Sequence, residues 1–144
     1  MDALQWGGVL HYGTHNGSRI GMYAARANLR VLTRDNNAAF RHTYQIAERL
    51  CEGYRYVFRK KGVAAIVQNV GPMFQLMFTD QPAIRDYREF CQHVDRAAFQ
   101  KFVLSLFEFG VYASPSAALH SIVTLAHTDE DVERTLESAE KALE

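Results

Sequence analysis

The sequence predicts an α+β fold in which a long connecting helix leads into a small antiparallel sheet of about four strands backed by helices. Five segments place apolar residues every three or four positions, which is the spacing of amphipathic helices. Four short runs are rich in β-branched and aromatic residues and are bounded by turn-forming residues, as strands are. Only Gly71-Pro72 separates two of these runs, which indicates an antiparallel hairpin.

The composition limits the classes of function that the chain can have. Its length of 144 residues corresponds to about one domain, and 48% of them are hydrophobic, enough to form a core. Sixteen basic residues balance sixteen acidic ones, so no basic excess is available to bind nucleic acid or an anionic membrane. No run approaches the ~18 apolar residues of a membrane span, and we see no signal peptide, so we expect a cytoplasmic protein. Cys51 and Cys91 lie in apolar helical patterns and are expected to be buried free thiols.

The amino-terminal part of the chain combines a short strand and a tight polar turn, Val9–Gly17, with a helix over 18–33. Gly13 and Gly17 permit backbone conformations and close approaches that a side chain would block. Thr14 adds a hydroxyl close to the free N–H groups of the helix N-terminus, and this combination can bind a phosphate or a carboxylate. Ordinary turn and cap roles for these residues are the alternative.

The first two predicted helices differ in their apolar surfaces. The helix over 18–33 has apolar rows on two sides, so one side needs a packing partner. Asn36-Asn37 then breaks the chain, and Ala38–Lys61 forms a second helix that ends at Gly62. A single apolar face of this second helix carries Phe40, Tyr44, Ala47, Leu50, Tyr54 and Val57. Its solvated surface is expected to carry Arg41, Glu48, Arg49, Glu52, Arg55 and Arg59.

The four strands of the predicted sheet fall in two parts of the chain. The hairpin joins Ala64–Val70 to Met73–Thr79, and Pro72 suits the turn because it lacks an N–H. The other two strands are Val111–Ala113, which ends before Ser114-Pro115, and Ser121–Ala126.

Three further helices back this sheet. One runs over Ala83–His93, and the next runs over Arg96–Phe109 with Asp95 as N-cap and Gly110 at its end. The wide apolar face of that helix is expected to be core and carries Phe99, Phe102, Val103, Leu106 and Phe107. The last helix has Thr128 as N-cap and acidic residues throughout its first turn, which suits the helix dipole.

Common catalytic and metal-binding patterns are absent from the sequence. It contains neither C-x-x-C nor H-E-x-x-H, and His11 and His15 flank a glycine turn, so helical spacing cannot pair them. It also lacks a G-x-S-x-G elbow and a Walker-type loop. A trio of Ser116, His120 and Asp129 could be assembled, but any chain of this size offers one. We therefore predict no catalytic residue and no metal ligand.

Four stretches, taken in order, resemble one family. They are Gly7-Gly-Val-Leu-His-Tyr-Gly-Thr-His-Asn-Gly17, Asn69-Val-Gly-Pro-Met-Phe-Gln-Leu-Met-Phe-Thr-Asp80, Gly110-Val-Tyr-Ala-Ser-Pro-Ser116 and Leu125-Ala-His-Thr-Asp-Glu-Asp131. The first is similar to the G-T-x-x-G-N-P segment of class III, fold-type I, pyridoxal-phosphate (PLP) aminotransferases. The other three resemble segments of the C-terminal domain of those enzymes. Among the branches of the family, glutamate-1-semialdehyde 2,1-aminomutase is the most similar.

This resemblance implies that the chain is the C-terminal portion of such an enzyme. Residues 1–36 would be the end of the large domain, with the phosphate-contacting turn and connector helix, and residues 37–144 would be the small domain. The family's Schiff-base lysine lies upstream, and none of the four lysines here is in its motif, so the chain alone is expected to be inactive. Gly13 and Thr14 would bind the PLP phosphate of a neighbouring subunit. The implied partners are the missing large-domain polypeptide, a second subunit of a homodimer and an amino-acid substrate.

The chain departs from the family pattern at two places. Ser18-Arg19 replaces the usual Asn-Pro, and Leu119 stands where the aminomutase branch has an acidic residue that faces the active site. An aminotransferase acting on another amino acid is therefore at least as well supported as an aminomutase. His120 or Arg19 could contact a substrate carboxylate, with an ordinary surface or capping role as the alternative.

Two further interpretations stay open. The chain could be a free-standing, non-catalytic dimerisation domain derived from this fold. It could also be a separately encoded subunit that completes a split enzyme.

Overall fold

The structure is a computed structural model that describes residues 13–144, and the predicted strand at the start of Val9–Gly17 lies outside the described residues. The chain forms two compact units, residues 1–39 and residues 40–144. In the first unit, helix α1 spans Arg19–Leu32, and the side chain of Ser18 caps it by accepting a hydrogen bond from the Gly21 N–H. None of the residues of α1 is buried.

Helix α2 spans Arg34–Lys61, and its backbone departs from helical geometry near the start. Asp35, Asn36 and Asn37 have φ angles of 51°, 54° and 61°. Asn and Asp tolerate this left-handed region better than other side chains do, so these residues interrupt the helix. The predicted break at Asn36-Asn37 and the predicted end at Gly62, which has a φ of 66°, are both confirmed.

A three-stranded antiparallel sheet lies in the second unit. Strand β1 spans Ala65–Val70, β2 spans Met73–Phe78 and β3 spans Ser121–Ile122, in the order β1-β2-β3. The hairpin is confirmed, and its register pairs Gln68 with Gln75. The prediction of about four strands was high by one, because Val111–Ala113 forms no strand. The N–H of Val111 instead donates to the carbonyl of Leu106 at 3.0 Å, which closes the preceding helix.

Three helices complete the second unit: α3 spans Tyr87–His93, α4 spans Arg96–Glu108 and α5 spans Asp129–Ala142. The prediction that α3 begins at Ala83 was wrong. The carboxylate of Asp86 accepts hydrogen bonds from the N–H groups of Arg88 and Glu89 at 2.8 and 2.9 Å and so fixes the helix start. The capping box predicted for α5 is confirmed, since Thr128 and Asp131 cap each other's backbone N–H groups.

The core lies between one face of the sheet and helices α2 and α4. Aromatic rings from α2, β2 and α4 contact one another there, with centroids 5.5–6.1 Å apart: Tyr54, Phe58, Phe74, Phe78 and Phe102. Two predicted core residues lie elsewhere. Phe107 is 37% exposed, because it stacks on the exposed Tyr112 at the surface, and Cys91 is exposed, unlike the buried Cys51. Within residues 13–144, no helix is long and apolar enough to cross a membrane.

Candidate functional site

The turn that precedes α1 holds the two residues predicted to bind a phosphate. The N–H of Asn16 donates to the carbonyl of Gly13 at 3.0 Å, and the N–H of Ser18 donates to the carbonyl of His15 at 3.1 Å. Gly13 and Thr14 are exposed side by side on this turn. A Cβ on Gly13 would lie 3.2 Å from the side-chain amide nitrogen of Asn16, so a larger residue there would require the Asn16 side chain to shift. The two residues are thus accessible, and their use as phosphate donors stays a prediction.

A groove on the second unit lies over the sheet face that points away from the aromatic core. It has a volume of about 450 Å³. Side chains of β1 and β2 form its floor, and the segment before α3 forms one wall. Gln68 joins the two, because its amide donates to the Ile84 carbonyl at 3.1 Å and accepts from the Ile84 N–H at 2.7 Å. The sequence offers little indication of this groove, because Gln68 has only the pattern of a polar residue within a strand.

The loop over 114–120 closes one end of the groove. Its position is fixed by the side-chain amide of Gln75, which donates to the Ala117 carbonyl at 2.6 Å. Leu119 is 57% exposed. His120 is exposed and lines the groove. Asp129, which sequence analysis considered in a trio with Ser116 and His120, forms an ion pair with Arg49 on α2.

A histidine that sequence analysis left without a role joins three elements of the second unit. Nδ1 of His127 accepts a hydrogen bond from the Thr124 N–H at 3.1 Å. Its backbone carbonyl lies 3.0 Å from Nε2 of His42 on α2. His127 directly precedes the capping residue Thr128, so it ties the end of the sheet and α2 to the start of α5. In the sequence, only the position of His127 before a capping residue could have indicated this role.

The four lysines lie away from the groove. Lys60 forms an ion pair with Glu140, and this hydrogen bond raises the pKa of the Lys60 ammonium group above its ordinary value. Lys61 pairs with Glu144 at 3.2 Å, and Lys101 and Lys141 are exposed on α4 and α5. Two of the four lysines are thus paired with a glutamate, and the other two lie exposed on helix surfaces. Within residues 13–144, no group of three or more His, Cys, Asp or Glu side chains is placed to hold a metal ion.

Comparison with solved structures identifies the fold. The chain superposes on a glutamate-1-semialdehyde aminomutase from Pseudomonas aeruginosa in complex with PMP with a TM-score of 0.78 at 22% identity, over 96% of this chain and 31% of that chain. An omega-transaminase from Sphaerobacter thermophilus gives a TM-score of 0.73 at 23% identity, over 94% of this chain and 30% of that chain. The fold is that of the C-terminal domain of fold-type I PLP enzymes, as the resemblance implied.

Sequence relatives narrow this class. The chain is 33% identical over 144 residues to a glutamate-1-semialdehyde 2,1-aminomutase from Akkermansia muciniphila. The matched region covers 99% of this chain and 33% of the relative. It is 33% identical over 137 residues to the enzyme of that name from Thermus thermophilus. That match covers 95% of this chain and 31% of the relative. No family model matches the chain. The chain is thus similar to glutamate-1-semialdehyde 2,1-aminomutases along almost all of its own length, and it spans about a third of the length of these relatives.

Proposed function

We propose that the chain is the C-terminal portion of an enzyme that transfers amino groups with PLP, and that it requires the remaining polypeptide for activity. The observation that carries this proposal is the similarity to aminomutases along 99% of the chain, combined with coverage of only 33% of the relative. The substrate class is an amino acid, and the reaction is a transamination or an intramolecular amino transfer. When bound, PLP supplies the electron sink for such reactions.

The contribution of this chain to the cofactor site is a phosphate-binding turn. Gly13 and Thr14 would donate their backbone N–H groups, and Thr14 also its hydroxyl, to the phosphate of the PLP held by a neighbouring subunit. Their exposure and their position before the N-terminus of α1 support this role, because a helix N-terminus favours an anion. The proposal makes the active assembly at least a dimer.

The chain's own lysines explain why it would be inactive alone. Each is either paired with a glutamate or exposed on a helix surface. The amine that binds the cofactor aldehyde would come from the large-domain polypeptide. Residues 1–36 would form the end of that large domain and the helix that connects it to the small domain. The small domain over 37–144 would then close the site from one side.

Leu119 bears on which amino-transfer reaction is carried out. A leucine cannot supply the negative charge that the resemblance to the aminomutase branch leads us to expect at this position, so an aminotransferase acting on another amino acid is at least as well supported as an aminomutase. His120 and Arg19 are the candidates for contact with a substrate carboxylate, and both are exposed.

A chimera tests the proposal. In it, this chain replaces the aligned segment of the Thermus thermophilus aminomutase. We expect the purified chimera to retain PLP and to show a change in cofactor absorbance when amino acids are added. We expect the isolated chain, treated with PLP and borohydride, to give no stoichiometric lysine adduct by mass spectrometry. A folded chimera that does not retain PLP would favour the non-catalytic dimerisation domain, and a single stoichiometric adduct in the isolated chain would contradict its predicted inactivity.

A further inference from the structure

A cavity of about 160 Å³ lies inside the second unit, on the core face of the sheet. Leu76 of β2 lines it, as do Val103 and Leu106 of α4, and these three side chains are buried. Leu119 and Ile122 line it as well but are exposed, so the cavity opens to solvent beside the segment that contains them. The cavity is therefore enclosed at its inner end and accessible to a small molecule from outside.

The hydroxyl of Tyr54 is a polar group without a protein partner at this cavity. Tyr54 lines the cavity and is only 4% exposed. Within residues 13–144, its hydroxyl makes no hydrogen bond with another protein group. No fully enclosed side-chain oxygen in this part of the chain lacks a partner, so the Tyr54 oxygen must reach open space, and the cavity provides it. A buried hydroxyl without a partner costs free energy, which a molecule that bonds it would recover.

The walls of the cavity select for a neutral ligand. Among the described residues, no aspartate, glutamate, lysine or arginine lines it. The lining residue His127 accepts a hydrogen bond at Nδ1 from the Thr124 N–H, so that nitrogen carries no proton. Burial raises the pKa of the Tyr54 hydroxyl above its ordinary value, so this group is neutral and can both donate and accept. A charged molecule would lose its hydration here without gaining a counter-charge.

The volume sets the size of the ligand, because an apolar cavity of about 150 Å³ holds one benzene ring. We propose that this cavity is a binding site for a neutral molecule the size of one aromatic ring that carries a single hydrogen-bonding oxygen, the class that phenol represents. Its ring would pack against the apolar walls, and its oxygen would bond the hydroxyl of Tyr54.

The ring of Tyr54 is held in place for this contact. Its centroid lies 5.9 Å from that of Phe58 and 6.1 Å from that of Phe74. The direction of the hydroxyl is thereby fixed before any ligand enters. The cavity lies wholly within the second unit, so this inference does not depend on the proposed function.

Titrations of the 144-residue chain, followed by the amide chemical shifts in NMR spectra, test the proposal. Phenol is the probe, toluene has a similar shape without the oxygen, and benzoate carries a charge. We expect saturable binding of phenol and toluene, with the largest shifts at Val103, Leu106 and Val123, which are buried around the cavity. Benzoate should not shift these residues.

Two variants isolate the role of the hydroxyl. Tyr54→Phe should weaken the binding of phenol about threefold to tenfold, the usual value of one hydrogen bond, and leave that of toluene within about twofold. Tyr56→Phe is the matched control, because it makes the same change at an exposed position of α2 and should alter neither affinity.

Several results would overturn the proposal. They are the absence of saturable binding of phenol, shifts concentrated at the groove residues Val70 and Tyr87, and equal weakening of phenol and toluene by Tyr54→Phe. If Tyr54→Phe does not fold, nuclear Overhauser effects between phenol and the methyl groups of Val103 and Leu106 in the unaltered chain decide the question. Their presence places phenol in the cavity, and their absence contradicts the proposed site.

Discussion

Leu136 on α5 occupies the space directly over Gly53 on α2: a Cβ added at Gly53 would lie 2.1 Å from Cδ1 of Leu136 and 3.0 Å from its Cγ. The two helices can approach this closely because position 53 has no side chain. Glycine is otherwise unfavourable in a helix interior, so its presence here is explained by packing.

Gly53→Ala is therefore expected to lower the free energy of unfolding by about 1–3 kcal/mol, the cost of overpacking a well-packed contact. In a Leu136→Ala background the same change should instead raise it by up to about 1 kcal/mol, because alanine is the better helix former. Urea denaturation of the four chains of this double-mutant cycle measures both values. A loss of equal size in both backgrounds would show that Leu136 is not the cause.

The second prediction concerns His127, whose Nδ1 accepts the N–H of Thr124. His127→Ala should lower the free energy of unfolding by about 0.5–1.5 kcal/mol, the usual net value of one hydrogen bond. His127→Asn should retain most of the stability, because its Oδ1 can occupy the position of Nδ1. His127→Gln is the matched control, since its acceptor lies one bond further out. Equal losses for all three variants in urea denaturation would contradict this assignment.

The two cysteines should react differently with alkylating reagents. Burial raises the pKa of the Cys51 thiol to about 11, whereas Cys91 is exposed. Because the thiolate is the nucleophile, iodoacetamide at about pH 8 should modify Cys91 and leave Cys51 intact in the folded chain. Mass spectrometry should detect one adduct in buffer and two in urea, and C91S should show none in buffer. Rapid labelling of C91S in buffer would show that Cys51 is accessible.

Acid should destabilise the start of α5. Two hydrogen bonds from Thr128 hold the pKa of the Asp131 carboxyl below its ordinary value. The backbone N–H has the larger effect and the hydroxyl the smaller one. The folded chain therefore binds this proton less tightly than the unfolded chain does, so the stabilisation is present above the unfolded pKa and is lost as the pH falls through the folded one. The melting temperature should fall between about pH 5 and about pH 2, and D131N should reduce that fall. An unchanged pH dependence in D131N would contradict this assignment.

Thr14 is expected to contribute a hydroxyl to the PLP phosphate in the chimera. Thr14→Val keeps the shape of the side chain but removes the donor, so the chimera should bind PLP about tenfold to a hundredfold more weakly, the usual value of a hydrogen bond to a charged group. Thr14→Ser keeps the hydroxyl and should bind within about twofold of the parent chimera. Absorbance titration with PLP measures all three proteins. Equal binding by the valine and serine variants would show that the Thr14 hydroxyl does not bind the phosphate.

The sequence by itself determined the features that a few neighbouring residues control. Asp95 and Thr128 start helices because a short polar side chain can bond the free N–H groups two or three residues later. Asn36-Asn37 and Gly62 stop helical segments because they accept left-handed backbone angles. Four family-like stretches in order also indicated the class of protein, because each is a local pattern.

Only the tertiary structure decided the features that depend on distant residues. Val111 is not part of the sheet because its N–H bonds the end of α4. Phe107 is not part of the core because it stacks on Tyr112 at the surface. One wall of the groove is held against β1 because Gln68 bonds the backbone of Ile84, sixteen residues further along the chain. The physical reason is that caps and turns are set by short-range sterics and hydrogen bonds, whereas burial depends on which surfaces meet when the whole chain folds.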